Sequence, residues 1–182
     1  MQELSDREIL DLFAKADTRN YAFNLLVRQF QQRLYWHIRR MVIDHDDADD
    51  LLQNVFIKAF HALDQFREDS KIYTWLYRIA TNECITFLNN KRKRFFLPIA
   101  DVERQLSENL QNDAYFSGDR IQMKLQQALL TLPEKQRLVF NLKYFENMKY
   151  EDMSEILGTS VGALKASYHH AVKKIEEFMR RV

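Results

Sequence analysis

Between Arg67 and Arg94 the chain interleaves aromatic and basic side chains in a pattern suited to unpaired nucleic acid. Tyr73, Trp75 and Tyr77 supply ring faces. Arg67, Lys71, Arg78, Lys91, Arg92, Lys93 and Arg94 supply seven cations against the three acids Glu68, Asp69 and Glu83. Cations neutralise phosphates while rings stack on bases, each stack contributing ~1–3 kcal/mol. Asn82 adds an amide that can both donate to and accept from a base edge. Plainer readings exist for the same residues. An aromatic at helical spacing often fills a core, so Trp75 is open to either role, and Tyr73 and Tyr77 are divided in the same way. A basic run at a helix end is also favoured simply by the helix macrodipole.

A second candidate surface lies in the segment from Leu132 to Lys174. An apolar helix ends at Ile156 and Leu157, Gly158 supplies a sharp turn, and Ser160 offers an N-cap hydroxyl. The next helix carries apolar Val161, Leu164, Tyr168, Ala171 and Ile175. This is the skeleton of a helix-turn-helix, whose second helix fits the major groove. It would present Lys165, Ser167, His169, His170 and Lys173 outward. Lys165, near the positive helix start, suits a phosphate, and Lys173 does so less firmly because Glu176 and Glu177 follow it. Ser167 and His169 are better suited to base edges.

The elements that must hold these surfaces are helical. Ser5 and Glu8 form a capping box ahead of Ile9, Leu10, Leu12 and Phe13. A helix from Tyr21 to about Ile43 carries Phe23, Leu26, Phe30, Leu34 and Ile38. It is expected to pack on a helix spanning residues 46–66, whose stripe is Leu51, Leu52, Val55, Phe56, Ala59, Phe60 and Leu63. Residues 95–118 contain Pro98, scattered acids and no sustained period, and read as an interdomain linker. From Asp101 to Asp119 this stretch holds five acids and one arginine, so it either mimics nucleic acid or merely keeps the linker soluble.

Whole-chain composition narrows the class. With 182 residues, 46% hydrophobic, three glycines and two prolines, the chain suits one or two small all-helical domains. Its net charge is only +1, but the charge is partitioned. Asp44, Asp46, Asp47, Asp49 and Asp50 form an acidic knot while both candidate DNA faces are basic, which suits a protein touching DNA on some faces and protein on others. The single cysteine, Cys84, excludes an internal disulfide, fits a reducing cytoplasm and lies on an apolar helix face. No signal peptide or run of 18 apolar residues occurs, so membrane insertion is not expected. Catalysis finds no support. In the run D-H-D-D-A-D-D, Ala48 and Asp49 stand where a calcium loop needs a ligand and a glycine. Adjacent helical residues such as His169 and His170 point about 100° apart, which disfavours a shared metal. No enzyme, metal site or cofactor is expected.

Two blocks of sequence carry a family resemblance. The segment T-W-L-Y-R-I-A followed by Asn82 resembles the minus-ten recognition and melting region of bacterial sigma factors of the extracytoplasmic-function (ECF) class. The stretch D-D-A-D-D-L-L-Q-N-V-F-I-K-A-F resembles the core-polymerase-binding helix of those proteins. Downstream, L-P-E-K-Q-R, K-Y-F-E-N-M-K-Y-E-D-M-S-E-I-L-G and S-V-G-A-L-K-A-S are similar to their domain for the minus-thirty-five element. The resemblance implies that Asp50, Gln53 and Asn54 meet the clamp helices of the largest polymerase subunit. It implies that Tyr73, Trp75, Tyr77, Arg78, Asn82, Lys91, Arg92, Lys93 and Arg94 serve minus-ten DNA, with Asn82 lining a pocket for a flipped base. It assigns Ser160, Ala163, Lys165, Ser167, His169, His170 and Lys173 to minus-thirty-five DNA.

The expected organisation is therefore all-α, with two small helical domains joined by a flexible linker. Residues 1–95 would bind core polymerase and the minus-ten element, 96–118 would link, and 119–182 would hold the helix-turn-helix. A conventional helix-turn-helix regulator would account for the second domain alone, but it has no need of a melting region. The partners implied are core RNA polymerase, promoter DNA and a separate anti-sigma protein, in the bacterial cytoplasm. The chain also departs from the family pattern: Ala163 stands where threonine is common, and Ser167 and His170 stand where arginines are common. Fewer arginines mean fewer bidentate contacts to guanine, which favours an A·T-richer or shape-read upstream element.

Overall fold

The structure, a computed structural model, describes residues 4–94, 106–110 and 120–180. Helices α1 (Asp6–Phe13), α2 (Arg19–Val42), α3 (His45–Ala62) and α4 (Ile72–Arg94) build the first domain. Helices α5 (Arg120–Leu130), α6 (Glu134–Tyr144), α7 (Tyr150–Leu157) and α8 (Val161–Arg180) build the second. No strand occurs among the described residues, and the all-α architecture with two helical domains holds.

Helix starts follow from their caps. The backbone N–H of Ser5 donates to Glu8 Oε2 at 2.8 Å while Glu8 N–H donates to Ser5 Oγ at 3.3 Å, completing the capping box. At α3, Asp44 Oδ1 accepts from the Asp47 N–H at 3.1 Å, and Asp46 and Asp47 face the positive end of the helix. The acidic knot thus opens a helix. Only Ile43 and Asp44 separate α2 from α3, and Ile43 turns the corner with φ 66°.

The first core is assembled from one face of each long helix. Leu26, Phe30, Leu34 and Ile38 of α2 meet Leu51, Val55 and Ala59 of α3 and Leu76, Ala80, Cys84 and Leu88 of α4, all buried. Phe23 and Phe60 cross edge to face at 5.0 Å, a favoured aromatic geometry. Burial pushes the Cys84 thiol far above its ordinary range, so it behaves as a small hydrophobe. The second domain has its own core of Ala128, Leu129, Leu132, Phe140, Ala171 and Ile175.

The two domains also pack on each other, with α7 lying against α4. Leu138, Val139, Met153, Ile156 and Leu164 of the second domain join the same apolar cluster as Leu76 and Ala80 of the first. Part of the stretch read as a linker contributes as well. Residues 106–110 are helical, and Leu106 and Leu110 are buried with Ile43 of domain one and Leu130 of domain two. Two leucines at i and i+4 give this short turn one apolar face, too brief to register as a period. The rest of the acidic linker, and with it most of the proposed nucleic-acid mimic, lies outside the described residues.

Candidate nucleic-acid interface

The aromatic and basic segment folds as α4. Its first turn is tied to α1 where the Ile72 N–H donates to Asp6 Oδ2 at 2.9 Å. Helical geometry then divides the three rings. Trp75 is 8% exposed and packs on Phe66 with ring centroids 5.3 Å apart, while Tyr77 is wholly buried and Tyr73 half-buried beside it at 4.5 Å. Arg78 and Asn82, one turn apart, are exposed, and Thr86 and Asn90 extend the same i,i+4 row. Sequence reasoning passed over Thr86 and Asn90, although stepping by four from Asn82 finds both. Lys91 Nζ donates to Asp47 Oδ2 of α3 at 3.2 Å. The side chains of Arg92, Lys93 and Arg94 lie outside the described residues.

Beneath this face lies a buried histidine. His37 of α2 is 1% exposed, packs on the Tyr77 ring at 5.0 Å, and has Nε2 3.0 Å from Thr81 Oγ1. Burial, aided by the Arg40 charge, pushes its pKa down to about 3, so it is neutral at physiological pH. Burial likewise raises the Tyr73 phenol to about 12 and the Tyr77 phenol further still.

The helix-turn-helix is formed by α7 and α8. Gly158 closes α7 with φ 59° and ψ 31°, the left-handed conformation that glycine adopts without strain. Ser160 Oγ accepts from the Ala163 N–H at 3.4 Å, a long N-cap. Ser160, Ala163, Lys165, His169, His170 and Lys173 are exposed along α8. Lys165 Nζ stands 5.6 Å over the Tyr150 ring. Ser167 differs from the rest. It is half-buried and turns toward α4, where it and Asn82 line one interdomain cavity of about 160 Å³ together with Ile85, Leu138 and Ile156. Arg78 and Trp75 border a second cleft, which Glu155 of domain two also lines.

The outward face of α3 is built differently. Asp50, Gln53 and Asn54 are exposed, and Ile57 stands 56% exposed among them. Lys58 Nζ pairs with Glu83 Oε1 at 2.5 Å on the α4 side. Ile57 was not singled out in the sequence, yet the signal is there, since it falls off the apolar stripe of an otherwise regular helix. Polar groups around one exposed isoleucine suit a protein partner better than DNA.

Residues 26–94 match Sigma-70 region 2 and residues 122–175 match Sigma-70, region 4. The RNA polymerase sigma-H factor of Pseudomonas aeruginosa is 32% identical, over 96% of this chain and 94% of that protein. The chain is a sigma factor of the ECF class. The ECF RNA polymerase sigma-E factor of Escherichia coli is 30% identical over the same shares of both chains. In structure, this sigma factor resembles CnrH in its complex with the cytosolic domain of CnrY, with TM-score 0.68 and 25% identity over 96% of each chain. RpoE of Bartonella quintana, in its complex with the anti-sigma factor NepR, shares the fold at TM-score 0.66 and 23% identity, over 87% of this chain and 97% of that one. The protein therefore binds core RNA polymerase, directs it to promoters, and performs no chemistry of its own. Among the described residues, no helix is long and apolar enough to cross a membrane.

Proposed function

We propose a division of labour among three faces of this sigma factor. Asp50, Gln53 and Asn54, with Ile57 one turn beyond Gln53 and Asn54, dock on the clamp helices of the largest polymerase subunit. The observation that carries this reading is the exposure of that face on a helix whose opposite side is wholly committed to the core. An exposed apolar residue beside polar groups suits a protein interface. Residues 1–95 thereby act as the polymerase and minus-ten domain, and residues 119–182 as the minus-thirty-five domain.

On α4, Asn82 reads a flipped minus-ten base. Arg78, Lys91, Arg92, Lys93 and Arg94 hold the strand's phosphates, and Tyr73, Trp75 or Tyr77 backs the opened duplex. On α8, Ser160, Ala163, Lys165, Ser167, His169, His170 and Lys173 meet the minus-thirty-five major groove. An anti-sigma protein is a further partner, a reading supported by the likeness to RpoE bound to the anti-sigma factor NepR. The site of action is the cytoplasm.

Mixing the protein with bacterial core polymerase should yield promoter-specific transcription starts. Failure to bind core at micromolar concentration would overturn the assignment of α3. Asn82→Ala should weaken open-complex formation by ~1–3 kcal/mol, the share of one base contact. Normal transcription by that variant on both native and pre-melted templates would remove Asn82 from base reading.

A further inference from the structure

Glu146, in the loop between α6 and α7, inserts its carboxylate between helices of domain one. Its side chain is 6% exposed. Arg40 Nη1 donates to Oε1 at 3.2 Å, Tyr77 Oη donates to Oε2 at 2.6 Å, and Arg33 Nε lies 3.6 Å from Oε2. Three donors on two helices of domain one thus converge on a single anion that domain two supplies. The loop is shaped to deliver it. Asn147 takes φ 49°, a left-handed conformation that asparagine tolerates, and the Met148 N–H returns to the Leu142 carbonyl at 3.1 Å. Arg40 also stacks over the Phe145 ring at 4.0 Å, next to Glu146 in the chain.

We propose that Arg33, Arg40 and Tyr77 form an anion-binding site for a phosphate of single-stranded DNA, which Glu146 occupies in cis while the domains are closed. The proposal rests on the promoter-binding reading of α4 given above. A carboxylate and a phosphodiester are both acceptor-only anions with two available oxygens, and paired guanidinium groups suit either. The two carboxylates whose field reaches Tyr73, those of Glu146 and Asp152, both belong to domain two. Lifting domain two away therefore leaves a cationic face on domain one. Its neighbours favour nucleic acid over an acidic peptide. The Tyr73 ring lies 4.5 Å from Tyr77 with the Arg33 guanidinium 4.8 Å from its centroid, which is a stacking platform set beside the anion site. Asn82 follows Tyr77 by five residues, about 7.5 Å along the same helix at 1.5 Å per residue. Opening and strand capture are then one exchange, a phosphate replacing Glu146.

The test uses the full-length protein and a short fluorescent oligothymidylate. Glu146→Gln should bind it on the order of ten-fold tighter than wild type, because a charge-assisted closing contact is lost and more of the protein is open. The log–log salt dependence should steepen by about 0.7, the share of one single-strand phosphate. Glu151→Gln, the same charge change at an exposed position of α7, should leave both values as they were. Adding Arg33→Ala and Arg40→Ala to Glu146→Gln should abolish the gain. Arg33→Gln, at a side chain 53% exposed and so tolerant of change, should remove part of it even if the double arginine variant folds poorly. A Glu146→Gln variant that binds no tighter than Glu151→Gln overturns the proposal, as does a gain that survives loss of both arginines. Arginine-dependent capture of a polyglutamate peptide without capture of oligothymidylate would also overturn it, by making the site one for acidic protein. Core-polymerase binding by the same variants reports separately on the sigma-factor reading, since α3 takes no part in the Glu146 contacts.

Discussion

Helices α3 and α4 lie side by side in one bundle but meet their surroundings in opposite ways. On α3, Asp50, Gln53, Asn54 and Ile57 stand in solvent. On α4, Tyr77 is buried against Glu146 of domain two, and Asn82 looks into a cavity that domain two helps to line. The face proposed for polymerase is wholly open, whereas the face proposed for the strand is covered at Tyr77 and exposed at Arg78 and Asn82. With a net charge of only +1, the molecule also has little long-range pull on DNA. On the proposed roles, docking on polymerase would precede full engagement of promoter DNA.

Mutations on the two faces should separate sharply. Tyr77→Ala removes a wholly buried ring and its closing hydrogen bond, and should cost about 3–5 kcal/mol in urea unfolding. A loss below ~1 kcal/mol would mean that domain two does not cover α4 in solution. Acid should act on the same covered region. His37 has a folded pKa of about 3 against an ordinary 6.5, so below pH ~6.5 the unfolded chain takes up a proton that the folded chain refuses. Stability should accordingly fall by about 1.4 kcal/mol per pH unit as pH drops from ~6.5 towards ~3. His37→Gln should remove this part of the slope of urea midpoint against pH.

Tyr77→Phe keeps the ring and deletes only the hydroxyl that reaches Glu146. It should cost about 1.5–3 kcal/mol, as expected for a hydrogen bond to a charged group, with spin labels on the two domains reporting more of the separated state. On α3, Asp50→Ala with Gln53→Ala should change stability by no more than about 0.5 kcal/mol while weakening core binding in fluorescence titration. Unchanged affinity would break the comparison from the α3 side. The smallest effect is assigned to Lys173→Ala, which should reduce the salt slope of holoenzyme binding by about 1 and leave promoter preference unchanged.

Local structure was largely legible in the chain. Ser5 and Glu8 announced α1, the acidic run announced α3, and Gly158 with Ser160 announced the helix-turn-helix. Each of these signals acts within a few residues. The docking of domain two on domain one was not legible, because Leu138, Val139, Ile156 and Leu164 read as ordinary amphipathic spacing. Periodicity says that a face is buried without saying against what. The same limit hid Phe66, whose ring lies against that of Trp75. Glu146 gave no signal at all, since its partners Arg40 and Tyr77 are 106 and 69 residues away.

Ile43 joins α2 to α3 in a backbone region that β-branched residues avoid, at a cost of about 1–3 kcal/mol. What keeps it there is the weight of Leu106, Leu110 and Leu130, which bury it to 1% exposure. The joint between the two helices is therefore under tension, and its counterweight lies beyond the first domain. The angle between α2 and α3 is itself set by their packing in the first core, so the strain stays at the corner residue. Ile43 is thus a strained residue of domain one whose cover is supplied from outside that domain, so parting the domains would expose an isoleucine where the chain turns between two helices.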